Sequence, residues 1–196
     1  MRKEIKIIIS SSKTFKKNIP ASNNPRPEMI NTAKAVFWDH IAKLDIQQTK
    51  KIYKISNKLT EKVFKMHKTH GKPLHRAIDA YGGTIFKELD IKEEDIKWLD
   101  KHVLILSALY GIVKPSETIG LYRLDFNTKL DIDLKQIWKK QWNNYLRKYE
   151  VYNLASKEYT EFLDIPLKEI KLPEGIKQIK KARGIALNNI IKNKEI

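Results

Sequence analysis

The chain has 196 residues, 41% hydrophobic and 32% charged, with no cysteine and a formal net charge of +16 at pH 7. That length suits one domain with a sizeable core, and the lack of cysteine excludes disulfides, iron–sulfur ligation and thiolate catalysis and fits a reducing compartment. The opening MRKEIKIIISSSKTF is interrupted by Lys6 and too short in its apolar part for a secretion signal, and no stretch approaches a membrane span, so a cytoplasmic protein is expected.

Lys3 to Ile9 alternates and then becomes continuously apolar, which predicts a strand, followed by a turn of Ser10, Ser11, Ser12, Lys13 and Thr14. Hydroxyls, a lysine and free backbone N–H groups after a strand can cradle a phosphate or carboxylate, although the turn has no glycine and is not a P-loop. A serine-rich turn that satisfies only its own backbone is an equal reading of these residues. Asn18 to Pro27 holds three prolines and reads as an irregular connection. From Glu28 the positions Met29, Ile30, Ala33, Val36, Phe37, Ile41 and Leu44 follow helical spacing. Asp45 is placed as the N-cap of a second helix through Ile46, Ile52 and Ile55, with a break near Ser56 and Asn57 before a third through Leu59, Val63 and Met66.

Lys50, Lys54, Lys58 and Lys62 recur every four residues, and Lys51 adds to the set. One continuous helix would align the first four as a stripe of mutually repelling charges, whereas the predicted break divides them between two helices. Residues 1–76 carry 18 Lys and Arg against 5 Asp and Glu, while the remaining residues carry 21 against 18. Such asymmetry points to a phosphate-rich partner. Drift of composition toward lysine, which makes up 33 of the 39 basic residues, explains the excess of Lys over Arg better than it explains the clustering.

His67, His70 and His75 lie close together around Gly71 and Pro73, with no carboxylate or cysteine at ligand spacing, and read as loop histidines; no metal site is expected. Pro73 to Leu89 predicts a helix bent at Gly82 and Gly83, and Lys92 to Lys101 a helix with an acidic first turn. Val103 to Ser107 is a buried strand ending in a polar group, and the loop after it, punctuated by Gly111, Pro115 and Gly120, leads to Tyr122 and Arg123 between Leu121 and Leu124. An arginine so placed is either pinned by a structural carboxylate or aimed at an anion. Leu134 to Tyr149 predicts an amphipathic helix, Val151 to Leu154 a second strand with polar groups at its end (Asn153, Ser156, Glu158, Tyr159), and Ile165 to Leu172 a further one. Lys180, Lys181 and Arg183 enter a final helix, whose N-terminus itself attracts anions. Strands with polar carboxyl ends, separated by helices, predict an α/β sheet with a site on that edge.

The order of ISSSKT at 9–14, LSALYGIVKP at 106–115, YRLDF at 122–126, NLASKEY at 153–159 and KKARG at 180–184 resembles the YaaA family of peroxide-stress proteins. The resemblance implies a cytoplasmic bacterial protein of mixed α/β fold, its central mixed sheet flanked by helices, forming one domain over residues 1–196 with a basic helical subregion at 28–76. It further implies a role in limiting damage from hydrogen peroxide and iron, and DNA binding through a helix-hairpin-helix element, which falls at Asp45 to Phe64. On the same grounds a basic cleft is lined by Ser10, Lys13, Thr14, Tyr122, Arg123, Asn153, Ser156, Tyr159, Lys180, Lys181 and Arg183, to which Glu158 is added from its place beside Tyr159, while Lys50, Lys51, Lys54, Lys58 and Lys62 are, from their spacing, the lysines expected to meet a nucleic-acid backbone. Ser11, Leu121 and Thr84 depart from the family's usual residues, the segment between NLASKEY and KKARG is shortened, and the family's usual C-terminal strand region is expected to be missing. DNA is thus the expected partner, held with low sequence specificity and without a cofactor. The alternative is an enzyme acting on a nucleotide, nucleoside or base in the same cleft, with Glu158 or Lys13 for proton transfer; no catalytic triad is recognisable, and direct iron binding has no concentrated ligand set to support it.

Overall fold

A computed structural model describes residues 3–24 and 33–196, so the start of the first predicted helix, Glu28 to Asn31 with Met29 and Ile30, lies outside the described residues. In chain order the elements are β1 (Ile5–Ser10), α1 (Ala33–Lys43), α2 (Ile46–Tyr53), α3 (Asn57–Lys68), β2 (His75–Arg76), α4 (Ala77–Ala80), α5 (Thr84–Lys87), α6 (Ile96–His102), β3 (Val103–Ser107), β4 (Gly111–Val113), β5 (Thr118–Ile119), α7 (Leu134–Leu146), β6 (Glu150–Asn153), α8 (Lys157–Thr160), β7 (Leu167–Glu169) and α9 (Ile179–Asn193). The fold is mixed α/β. Its sheet runs β4-β3-β1-β6-β7, parallel except for β4, and β2 and β5 form a separate antiparallel pair. No helix of the described residues is long and apolar enough to cross a membrane.

The apolar runs become the inner strands because both of their faces are covered: Ile7, Ile8 and Ile9 of β1 and Val103 to Leu106 of β3 are fully buried. The register sets Ser10 opposite Leu106 and Asn153 opposite Ile8, so the polar ends of β1, β3 and β6 emerge on one edge. Gly111 turns the chain back at φ 74°, and a Cβ there would come within 2.7 Å of the Trp138 ring, which closes the β3–β4 hairpin under α7. That hairpin and the β2–β5 pair are too short to have shown a period in the sequence.

The predicted boundary between α2 and α3 holds. Asp45 caps α2 in a capping box with Gln48, and α2 ends where Lys54 takes the left-handed conformation at φ 47°. The helix expected from Pro73 to Leu89 is a misreading. In its place stand β2 and the single turns α4 and α5, because the backbone of Tyr81 to Gly83 lies against the loop after β1. Gly82 donates its N–H to the Thr14 carbonyl at 2.8 Å, Lys16 donates to the Ala80 carbonyl at 2.9 Å, and a Cβ at Gly82 would meet the Phe15 and Lys16 backbone at 2.8 Å. These lateral bonds replace the helical ones.

α9 packs across α5 at Gly184, where an added Cβ would sit 2.7 Å from the Ile85 carbonyl oxygen and 2.9 Å from Glu88 Cβ. Alanine in place of glycine inside a helix ordinarily adds about 1 kcal/mol of stability. Here the contact with a fixed carbonyl reverses that sign, and Gly184→Ala is expected to lose about 1–3 kcal/mol. Urea unfolding checks this, and a raised midpoint would refute the packing.

Candidate functional site

The loop after β1 is held against the strand edge by hydroxyl groups. Ser10 Oγ accepts the Ser156 N–H at 2.8 Å and hydrogen-bonds the Ser156 hydroxyl at 3.1 Å, Ser11 N–H donates to the Leu106 carbonyl at 2.8 Å, and the Ser11 hydroxyl bonds that of Tyr159 at 3.2 Å. Ser12 Oγ accepts the Thr14 N–H at 3.0 Å and lies under Gly83, where a Cβ would clash with it at 2.4 Å. Beneath this layer the Tyr122 hydroxyl joins Ser107 Oγ at 2.7 Å and the Tyr81 hydroxyl at 2.8 Å, and Ser107 Oγ also accepts the N–H groups of Leu109 and Tyr110. Burial raises the phenols of Tyr81, Tyr122 and Tyr159, so all three are neutral structural hydroxyls.

The loop is anchored on its other side by an ion pair between Lys13 and the buried Asp125. Thr128 donates its hydroxyl to Asp125 Oδ1 at 2.7 Å and accepts the Asp125 N–H at 3.2 Å. Burial raises the Asp125 carboxyl, but Lys13, the Thr128 hydroxyl and the Asn127 N–H together outweigh it and hold the group below its usual range. Glu158 behaves oppositely: burial and the charge of Asp125 push its carboxyl up, against the pull of Lys13 and Lys180. The pKa values of two carboxyl groups bordering one space are thereby moved in opposite directions.

The space they border is a cavity of about 200 Å³, open at the edge of the sheet. Ser10 to Thr14 form one side, Gly83 to Phe86 another, and Asp125, Ser156, Glu158 and Tyr159 the rest, with Lys180 and Arg183 from α9 at the rim. Among the described residues the Arg183 guanidinium makes no hydrogen bond or ion pair; burial lowers its pKa from the usual value, and Glu169 acts the other way. Two further clefts meet this cavity at Lys13. One, of about 260 Å³, is bordered by Lys13, Tyr53, Lys54, Arg123, Asp125, Asn127 and Lys129. The other, of about 160 Å³, is bordered by Lys13, Thr14, Leu59, Lys62, Met66 and Arg123.

Against known proteins, the family profile described as Peroxide stress protein YaaA matches residues 5–195. The chain belongs to the YaaA family. Its curated relatives carry the name UPF0246 protein: one from Finegoldia magna is 34% identical over 159 residues, covering 79% of this chain and 64% of that protein. Relatives from Francisella philomiragia and Francisella tularensis subsp. novicida are 31% and 32% identical over 199 positions, covering 81% of this chain and 78% of theirs. This YaaA chain therefore spans a little under two thirds of the Finegoldia protein.

Of the residues expected to line the YaaA cleft, Ser10, Lys13, Thr14, Ser156, Glu158, Tyr159, Lys180 and Arg183 border the main cavity. Tyr122 is buried beneath it, Asn153 turns back to accept the Ala155 N–H at 2.8 Å, Lys181 is exposed away from its lining, and Arg123 borders the two neighbouring clefts. Among the described residues Arg123 forms no ion pair; its guanidinium reaches only the Lys13 carbonyl, at 3.5 Å. The carboxylate in its stretch, Asp125, holds Lys13 in an ion pair. Glu158 accepts from the Asn127 side chain. Ser11, Ser12 and Asp125 were missed as lining residues. Ser11 and Ser12 stand in the turn that drew attention, whereas Asp125 gave no local signal because its partner is remote in sequence.

His67 corrects the reading of loop histidines. It lies within α3, is 1% exposed, and its Nε2 accepts the Arg123 N–H at 3.3 Å between the rings of Trp38 and Tyr53. That bond leaves the proton of the neutral ring on Nδ1, which is buried without a hydrogen-bond partner. Burial lowers its pKa from 6.5 to about 4. The unfolded ring takes up its proton near pH 6.5 and the folded ring only near pH 4, so stability falls as pH drops through that window. Between pH 7.5 and 5 the loss is about 2 kcal/mol, and His67→Gln is expected to remove that part of the pH dependence. Urea titrations of both proteins at the two pH values measure it; parallel pH profiles would refute a neutral buried His67.

Proposed function

We propose that this YaaA-family chain binds DNA through its phosphates, along a surface running from α9 past Lys13 to the tips of α2 and α3. The observation that carries the reading is the adjacency of the three clefts, which share Lys13 and are edged by Lys180 and Arg183, by Arg123, Lys54 and Lys129, and by Lys62. Cations spaced along connected grooves follow a phosphate backbone without reading its sequence. Lys50, Lys51, Lys54, Lys58 and Lys62 are all exposed, and among the described residues none forms an ion pair. Their charge has no neutralising partner within the described residues.

The α2–α3 connection supports the helix-hairpin-helix reading in shape, with Lys54 taking the left-handed conformation that a glycine of such a hairpin would supply. Lys54 thereby stands at the turn itself, beside the cleft that Arg123 borders. In the cytoplasm, shielding of DNA on this surface would limit peroxide damage, in keeping with the family's description as peroxide stress proteins, and would blunt iron-driven damage without an iron centre in the protein.

Neutralisation of about six phosphates gives a log–log salt slope near −5, or about a thousand-fold loss of affinity between 50 and 200 mM salt. Lys54→Gln and Arg123→Gln are each expected to weaken binding uniformly across sequences and to reduce the slope by about 1. Fluorescence anisotropy with a labelled duplex across that salt range measures both. A flat salt dependence, or no binding at low salt, would overturn the reading.

A further inference from the structure

We propose that the cavity beside Lys13 receives a single nucleobase turned out of a DNA strand whose phosphates lie in the neighbouring Arg123 cleft. The proposal rests on the DNA reading and names the part of the ligand that this cavity takes.

Size sets the first limit. A cavity of about 150 Å³ accepts one benzene ring, so the about 200 Å³ present here holds one heterocycle with its exocyclic groups. It is below the range of about 300–1,000 Å³ typical of sites that enclose drug-sized ligands. A base still stacked and paired in a duplex cannot enter a space of that size, and one that enters must first leave the stack.

The lining suits a base more closely than it suits a phosphate. Phe86 and Ile85 supply apolar surface for a ring face, while the hydroxyls of Thr84 and Ser156 and the carboxyl of Glu158 supply donors and acceptors for a ring edge. Glu158 is the most informative of these. Its carboxyl borders the cavity and can accept from the exocyclic amino group of a base edge, while burial and the charge of Asp125 raise its pKa from the usual value.

The wall of the cavity explains how one strand would occupy both spaces. Lys13 and Asp125 border the base-sized cavity on one side and the Arg123 cleft on the other. In that second cleft stand Lys54, Arg123 and Lys129, and the buried hydroxyl of Tyr53, which also borders it, has no hydrogen-bond partner. A phosphate oxygen would satisfy that hydroxyl and the guanidinium together. A nucleotide straddling the Lys13–Asp125 pair thus places its charge with the cations and its ring among the hydroxyls.

Three short duplexes of common sequence test the proposal: one fully paired, one with a single unpaired adenine, and one with an abasic unit at the same bulge. The two bulged duplexes carry the same phosphates at the same positions and differ in the base offered to the cavity. The unpaired adenine is expected to bind about ten-fold more tightly than the abasic bulge, the gain one stacked and hydrogen-bonded base supplies. Thr84→Phe, which fills the cavity from one side, is expected to bring that ratio within about two-fold, with circular dichroism confirming the fold. Glu158→Ala, on the short α8, provides the same readout should the first variant not fold. Equal affinity of wild-type protein for the two bulges would overturn the proposal while leaving the DNA reading intact, provided that the paired duplex binds with its salt slope. A ratio retained in a folded, cavity-filled variant would overturn it as well. Failure to bind any of the three duplexes would remove the DNA reading, and the base site with it.

Discussion

Everything at the site depends on β1 being closed in between β3 and β6. With Ile7, Ile8 and Ile9 fully buried, no water reaches this backbone, and each N–H and C=O must find its partner on a neighbouring strand. Parallel pairing on both sides then fixes the register, because a slip of one residue would turn each side chain to the opposite face. Each isoleucine contributes about 2 kcal/mol through burial, so a slip cannot be offset by local adjustments. The polar ends of three strands consequently meet at one edge, and Ser10 can bridge to Ser156 across the gap between β1 and the turn after β6.

The Lys13–Asp125 pair fixes what that edge can do. Asp125 is buried and Lys13 is half-exposed, so the pair is a link between the core and the surface. Removing one partner of such a pair costs more than making it gains, since a buried charge is left uncompensated. The loop after β1 is therefore held in place from the side of Asp125 as well as by Ser11 and Ser12, and the spaces on either side of Lys13 keep their shape without a ligand. Glu158, only half-buried and bonded to an amide, lacks that anchoring and is the carboxyl free to respond to what enters.

Much of the sheet was legible because burial on both faces leaves continuous apolar runs, and the ends of those runs marked the polar edge. The α2–α3 division was legible for a similar reason: Asp45, Ser56 and Asn57 are residues that compete with helical hydrogen bonding and so announce a boundary. What failed to show was decided by contacts between distant segments. Tyr81 to Gly83 leaves the helical pattern because it pairs with the backbone of Thr14 to Lys16, and nothing within its own stretch records that partner. In the same way, Arg123 drew attention as the residue that a carboxylate would pin, while the carboxylate two positions on reaches Lys13 from another part of the chain. His67 had the flanking glycine and proline of a loop residue and yet lies in α3, because its ring fills the space between Trp38 and Tyr53.

The basic face of α2 and α3 carries an energetic argument of its own. Like charges one helical turn apart repel by about 0.2–0.5 kcal/mol for each pair. The break at Lys54 reduces this by directing Lys50 and Lys58 along different helices, but it requires a lysine in a left-handed conformation, which itself costs about 1 kcal/mol. The buried Thr49, Thr60, Val63 and His67 hold the two helices to the rest of the fold and offset both terms. Acidic substitutions on this face would relieve the repulsion at no cost to packing, since the lysines are exposed. That stored repulsion, where relief is so accessible, is what the proposed DNA binding would put to use, and Lys54 and Lys62 border clefts that Lys13 shares.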